Sequence, residues 1–334
     1  MERLQNLRHW LSHELDNADY ELVPASSDAS FRRYFRATFN SRHYIVMDAP
    51  PAHEDCRPFV QVAELFGMAG VNVPKVLAQD LAQGFLLLTD LGNTTYLSAL
   101  NEDTAQQLYL DANAALVKIQ LASQPGVLPE YDRALLLREM NLFPDWYVNQ
   151  HLKQTLNEAQ LESLHGVFER ILANNLAQPQ VYVHRDYHSR NLMVDAQNPD
   201  ANPGVLDFQD AVHGPITYDL ASLYKDAYIK WDEERVLDWT IRYWEAARAA
   251  RLPVSGDFYE FYRNFEWMGV QRHIKVLGIF ARLCHRDGKD GYLKDMPLVM
   301  DYLRRTCERY PELAPMAHLL DDLENRQAQV GYTF

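Results

Sequence analysis

The chain has 334 residues, of which 47% are hydrophobic and 12% aromatic; it is long enough for one large core or two modest ones, and its composition excludes a disordered chain. A formal charge of −14, from 46 acidic against 32 basic residues, argues against a nucleic-acid scaffold. Cys56, Cys284 and Cys307 are odd in number and widely spaced, the start is charged at Glu2 and Arg3, and no apolar run reaches membrane-spanning length. The expectation is therefore a cytoplasmic chain with reduced thiols, no membrane contact and no obligate protein partner.

Leu4, Leu7, Leu11 and Leu15 recur at spacings of three and four, which predicts an amphipathic opening helix. Tyr20 to Val23 is strand-like, and SSDASFRRYFRATF, Ser26 to Phe39, leads from turn formers into β formers. Asn40, Ser41 and Arg42 mark a turn before His43 to Met47, so a hairpin is expected. Phe59, Val62, Ala63 and Phe66 make a helical stripe ended by Gly67 and Gly70, followed by two short strands, Val73 to Ala78 and Gly84 to Leu88. From Leu97 the chain reads as helical, with an apolar face on Thr104 to Ala122 (Leu108, Ala112, Ala115, Leu116, Ile119). Leu136 to Val148 mixes polar and aromatic residues around a proline. Phe261 to Leu283 is a long apolar-patterned helix containing Arg272, His273, Lys275 and Arg282, and the tail from Pro297 reads as a closing helical pair.

Between the helical stretches lies VYVHRDYHSRNLMV, Val181 to Val194. Asn191 follows Asp186 by five residues, the H-R-D-x-x-x-x-N spacing of kinase catalytic loops, and Asp207 in GVLDFQD follows sixteen residues later. Either fragment alone is weak, because Asp and Asn favour turns through their own backbone hydrogen bonds. Here they come in order between β-like runs, with a turn-rich connection over 195–204. Phosphoryl transfer from ATP needs one carboxylate to accept a hydroxyl proton, and an amide oxygen and a second carboxylate to hold Mg²⁺ against the phosphates. Asp186 is the candidate base, and Asn191 and Asp207 are the candidate Mg²⁺ ligands. A zinc reading of His184 and His188 lacks the HExxH pattern, and its flanks are β-like.

The loop resembles that of the aminoglycoside phosphotransferase family, the small-molecule branch of the kinase-like fold. His188 stands two residues after Asp186 as in that family, and DFQD (Asp207 to Asp210) followed by GPITYDLASL (Gly214 to Leu223) is also similar. More narrowly, HRDYHSRNLM resembles the bacterial kinases that phosphorylate the anomeric hydroxyl of N-acetylmuramate and N-acetylglucosamine in cell-wall recycling. The resemblance covers nearly the whole chain, strongest from Val181 to Leu223 and weakest in the hairpin. It implies an α+β, two-lobed protein-kinase-like fold. A small antiparallel-sheet lobe with one helix would span residues 1–90, and a mainly helical lobe with the catalytic loop and acceptor site residues 91–334. It implies ATP and Mg²⁺ as cofactors, an amino sugar as acceptor, and His184, His188 and Asp219 as braces of the loop.

For the nucleotide, the resemblance implies contacts from the hinge, Thr89, Asp90 and Leu91, and from SSDAS, where Ser27 and Ser30 replace a glycine-rich loop. The strand expected to carry the phosphate-binding lysine reads YIVMDAP, with Met47 or Asp48 in its place. Arg32, Arg33 and Arg36 are the nearest cations; alternation puts Arg32 and Arg36 on one face and Arg33 on the other. Glu64 matches the glutamate that usually pairs with the lysine. Acceptor candidates are Glu139, Asn141, Asp145 and Trp146, with Asp210, since aromatics stack on sugars and carboxylates take hydroxyls; core packing is the default for Trp146. Arg272 and His273 are candidate partners for the lactyl carboxylate that N-acetylmuramate carries and N-acetylglucosamine lacks. Two other readings stay open: another small-molecule kinase of aminoglycoside or choline type, which needs an acidic acceptor pocket, and a non-catalytic nucleotide-binding protein, which the missing lysine raises.

Overall fold

Strands follow in chain order as β1 (Glu21–Ser27), β2 (Arg33–Phe39), β3 (Arg42–Asp48), β4 (Val76–Asp80), β5 (Phe85–Thr89), β6 (Gln180–Val183), β7 (Leu192–Met193), β8 (Gly204–Val205) and β9 (Val212–Pro215). The helices are α1 (Glu2–Glu14), α2 (Arg57–Met68), α3 (Tyr96–Ala99), α4 (Ala105–Leu121), α5 (Arg133–Met140), α6 (Glu158–Leu176), α7 (Tyr218–Tyr224), α8 (Glu233–Ala249), α9 (Phe258–Asp287), α10 (Met296–Arg309) and α11 (Ala314–Leu323). The computed structural model describes residues 2–27, 31–195 and 198–324, so Ser30 of the expected phosphate loop lies outside the described residues. The chain folds into two compact units, residues 1–122 with 190–211 and residues 123–189 with 212–334.

The first unit is built on an antiparallel sheet of order β1-β2-β3-β5-β4. The expected hairpin is β2–β3, in register from Arg33 opposite Asp48 to Phe39 opposite Arg42. Asn40 and Ser41 close it with φ of 49° and 59°, the two left-handed residues that match a two-residue turn to the twist of the strands. One sheet face carries Ala37, Val46, Phe85 and Leu87, packed against Leu7, Trp10 and Leu11 of α1. Each large side chain so buried contributes about 1.5–3 kcal/mol. On α2, Phe59 and Phe66 lie 4.8 and 6.0 Å from the ring of Phe208, which is fully buried. That contact anchors the residue beside Asp207. β7 and β8 pair through Leu192 opposite Val205, and a bridge from Met193 to Thr95 ties them to the segment after the hinge.

The second unit is organised around α9. Its apolar pattern runs nearly all round because α5, α6, α7 and α10 all pack on it. Gly278 is required there: a Cβ would sit 2.4 Å from the carbonyl carbon of Leu142, so this helix presses directly on the backbone after α5. A π-helical segment, Phe143–His151, follows where the sequence shows its proline. β6 pairs antiparallel with β9, Val183 opposite Val212, and delivers the chain into the catalytic-loop stretch. Among the described residues no helix is long and apolar enough to cross a membrane.

Candidate active site

In the second unit the loop leaves β6 at His184, whose ring is fully buried. The backbone N–H groups of His184 and Arg185 donate to the two oxygens of Asp219 at 2.7 and 3.0 Å. The Asp186 N–H donates to His184 Nδ1 at 3.2 Å. Burial pushes the Asp219 carboxyl up to about 7, against the pull of its two N–H donors. At the loop's other end a second buried carboxylate, Asp226, accepts from the Ser189 N–H at 3.0 Å and the Ser189 hydroxyl at 2.5 Å. Sequence reasoning missed Asp226, because YKDAY carries no spacing that separates it from any other aspartate.

Arg185, between these clamps, adopts φ of +77°, a left-handed conformation that costs a non-glycine residue about 1–3 kcal/mol. Its neighbour Asp186 is 41% exposed, with the Arg272 guanidinium 3.9 Å away. Burial would raise its pKa, but Lys275, Arg272, His188 and Arg185 outweigh it and hold the carboxyl below the ordinary range. It is ionised at neutral pH. Arg272 itself donates to the Arg185 carbonyl at 2.8 Å, so it shapes the loop as well as its charge.

Glu139 sits deep in the same unit, accepting from the Tyr131 hydroxyl, the Arg185 guanidinium and, at 3.2 Å, Lys275 Nζ. Burial acts to raise its pKa, and Lys275 and Arg185 reverse the direction. His273 is buried, 5.3 Å from the Tyr302 ring in a stacked arrangement, with Nε2 3.2 Å from the Lys225 carbonyl. Burial drives its pKa down to about 3, so it is neutral and carries no charge to offer a carboxylate. Asn141 caps α5 and is half-buried, Trp146 is half-buried in the π-helical segment, and Asp145 is exposed. The His188 ring packs edge-on to Tyr228 at 5.4 Å.

In the first unit a cavity of about 600 Å³ is walled by Ile45 and Leu88, by the hinge Thr89 to Gly92, and by Arg190, Asn191 and Asp207. Asn191 and Asp207 face each other, Nδ2 to Oδ2 3.4 Å, and the Gln209 amide donates to Asp207 Oδ1 at 2.8 Å. Asp207 has φ of +60°. One amide and one carboxylate are the hard oxygen donors that suit Mg²⁺, which takes few protein ligands and fills its octahedron with phosphate and water. Among the described residues no group of three or more His, Cys, Asp and Glu side chains is arranged to hold a metal ion. At the hinge, Asp90 is held by Arg36 Nε and Nη2 at 2.5 and 3.1 Å, and the Thr89 N–H and Oγ1 are taken by Lys75 backbone groups.

Strand alternation decides what stands at the lysine's place. Ile45 lines the cavity and Val46 belongs to the core on the other face, so Met47, 1% exposed, is on the cavity side. Asp48 points the other way and is paired with Arg3 and Arg33. Arg33 thus lies on the face away from the cavity, whereas Arg32 reaches Asp207 at 3.7 Å. Ser27 ends β1 opposite Arg33, Glu64 is exposed on α2, and Asp210 is exposed after Asp207.

A family model described as the phosphotransferase enzyme family matches residues 21–254. The chain belongs to that family. A protein of Neisseria meningitidis named N-acetylmuramate/N-acetylglucosamine kinase is 52% identical over 340 residues, covering 100% of each chain. A Pseudomonas aeruginosa protein of the same name is 53% identical over 303 residues, 91% of this chain and 88% of its own. Among solved structures, the GDP complex of aminoglycoside 2′-phosphotransferase-IIIa superposes with a TM-score of 0.64 at 12% identity, over 93% of this chain and 100% of that one. The phosphotransferase assignment and the kinase-like fold agree with the resemblance carried by the loop, and the five-stranded antiparallel sheet followed by helices is the α+β order expected.

Proposed function

We propose that this phosphotransferase is an ATP-dependent kinase that phosphorylates the anomeric hydroxyl of N-acetylmuramate and N-acetylglucosamine, in the cytoplasm, as a step of cell-wall sugar recycling. The observation that carries the acceptor is the 52% identity, over the full length of both chains, to a kinase named for these two sugars. ATP occupies the cavity of the first unit, its base against the hinge backbone around Asp90 and Leu91. Asn191 and Asp207 hold Mg²⁺, which neutralises phosphate charge. The ionised Asp186 orients the sugar hydroxyl. A bond forms between the anomeric oxygen and the γ-phosphorus, the bond from that phosphorus to the β,γ-bridging oxygen breaks, ADP leaves, and the proton passes to Asp186. The weak basicity that Lys275 and Arg272 impose on Asp186 suits this step, because proton transfer lags phosphoryl transfer in a loose transition state and an anomeric hydroxyl is a comparatively acidic alcohol. Asp219, His184 and Asp226 fix the loop.

The cations Arg185, Arg272 and Lys275 beside Asp186 also separate this reading from an aminoglycoside kinase, which has to receive a polycation. The test is ATP consumption with Mg²⁺ over N-acetylmuramate, N-acetylglucosamine, glucose, kanamycin and choline, with the sugar's reducing end assayed in parallel. Turnover with the two N-acetyl sugars and a matching loss of reducing ends is expected. Turnover with intact reducing ends moves the phosphate to another hydroxyl, and turnover with kanamycin or choline alone overturns the acceptor.

A further inference from the structure

β3 supplies no cation to the cavity. Its cavity-facing residue at the lysine's place is the buried Met47, and its one acid, Asp48, is committed to Arg3 and Arg33 on the opposite face. A nucleoside triphosphate brings about four negative charges, which Mg²⁺ alone neutralises only in part. Another cation must meet the phosphates if transfer is to occur. Among the described residues the cavity has two basic side chains in its wall, Arg36 and Arg190. Arg36 grips Asp90 through two nitrogens and also donates to the Gly92 carbonyl at 3.1 Å, so it serves the hinge. Arg32 lies against Asp207, the carboxylate offered to the metal.

The chain path places Arg190 in the cavity wall directly before Asn191. The Val194 N–H donates to the Thr94 carbonyl at 2.8 Å, Met193 bridges to Thr95, and the Asn191 carbonyl accepts from the Leu206 N–H at 2.9 Å. Running back from Met193 the chain leaves the hinge segment, passes Asn191, which lines the cavity together with Asp207, and turns at Arg190. A phosphate chain bound to a metal on Asn191 and Asp207 would therefore run beside Arg190.

We propose that Arg190 is the phosphate-binding catalytic residue that takes over the missing lysine's part, its planar guanidinium bonding β- and γ-phosphate oxygens beside Mg²⁺. The fork of donors fits two phosphate oxygens at once, and arginine stays charged in any such setting. Relocating the cation from the sheet strand to the catalytic loop puts it on the same loop as the metal ligand Asn191. This role rests on the kinase reading above.

The experiment measures binding of ATP and of adenosine, each with Mg²⁺, to the full chain and to Arg190→Gln and Arg190→Lys. Arg190→Gln is expected to weaken ATP at least about tenfold, to leave adenosine within about twofold, and to lower kcat by about 10²-fold or more. Arg190→Lys, which keeps the charge and loses the fork, is expected to recover ATP affinity more than kcat. Equal loss of ATP and adenosine binding would make Arg190 structural, and unchanged ATP affinity and kcat would remove it from the site; either overturns the proposal. If Arg190→Gln fails to fold, the Arg190→Lys comparison of ATP with adenosine decides. The binding arm needs no sugar, so an error in the acceptor shows in the substrate panel and leaves this outcome standing.

Discussion

The two stretches of the catalytic loop are held by opposite means. Residues 184–189 are clamped: Asp219 takes two backbone N–H groups at one end, Asp226 takes an N–H and a hydroxyl at the other, and Arg272 closes on the carbonyl between them. Beneath them Glu139 is ringed by a tyrosine, an arginine and a lysine. The stretch that lines the cavity is held through the carboxylate itself, with Asp207 meeting Asn191 at 3.4 Å, Arg32 at 3.7 Å and the Gln209 amide at 2.8 Å. The difference follows from what each must do. A base has to be in place before the hydroxyl arrives, so its proposed setting is built from buried, mutually paired charge. The proposed metal ligands have to accept an ion and a phosphate chain, so their side-chain contacts have to be shared or exchanged when the ligand enters.

That contrast predicts that damage to the cavity side shows in ligand dependence and damage to the clamped side shows in stability. The largest effect is expected for Asp207→Ala, which should abolish turnover and make ATP affinity insensitive to Mg²⁺, measured by titration with and without the ion. Retained Mg²⁺ dependence would take Asp207 out of the metal site. Asp186→Ala is expected next, with kcat lower by about 10²–10⁴-fold while ATP affinity holds. Glu139→Gln should leave turnover chemistry intact in the folded fraction but cost about 3–5 kcal/mol of stability, because Lys275 and Arg185 stay buried with their anion gone. Urea midpoints for Glu139→Gln and Asp207→Ala, compared without ligand, probe the contrast itself. If Asp207→Ala unfolds as early as Glu139→Gln, the distinction between the two stretches is lost. Asp226→Asn removes the charge from the Ser189 clamp and is expected to cost about 1–3 kcal/mol, with kcat falling more than the sugar KM rises.

Much of this arrangement was legible along the chain. The α1 leucines, the β2–β3 turn at Asn40 and Ser41, and the apolar face of α4 are local patterns whose period or turn chemistry determines the element. The order of Asp186, Asn191 and Asp207 was readable for the same reason, since it is carried by spacing. What escaped is non-local. Glu139 reads as a sugar-pocket acid until Lys275, far along the chain on α9, is seen beside it, and His273 reads as a free cation until burial against Tyr302 and the Lys225 carbonyl makes it neutral. Alternation already sets Arg33 apart from Arg32 and Arg36 in the sequence, but only the folded sheet shows Arg33 on Asp48 and Arg36 on the hinge residue Asp90. Nothing in HSRN marks Arg190 as a cavity residue before β7 and β8 are paired.

The smallest expected effect concerns pH and separates the two carboxylates of the clamped stretch. Asp186 is held below the ordinary carboxylate range, so it is ionised throughout the working range and kcat should show no acid limb from this group above about pH 4. Asp219 is shifted the other way, to about 7. A raised value means that the folded chain binds the proton more tightly than the unfolded one. Its contribution to stability is therefore full below about pH 4, the unfolded value, and is lost as pH rises through about 7, at no more than about 1.4 kcal/mol per pH unit. Wild-type urea midpoints should fall between pH 5 and 8 by more than those of Asp219→Asn, which has no proton to lose. A kcat break near pH 7 that vanishes in Asp219→Asn would show the clamp's charge acting on the base through the backbone N–H groups of His184 and Arg185. A profile equally flat in both proteins would mean that the loop keeps its shape whichever form Asp219 takes, and that the clamp works by geometry alone.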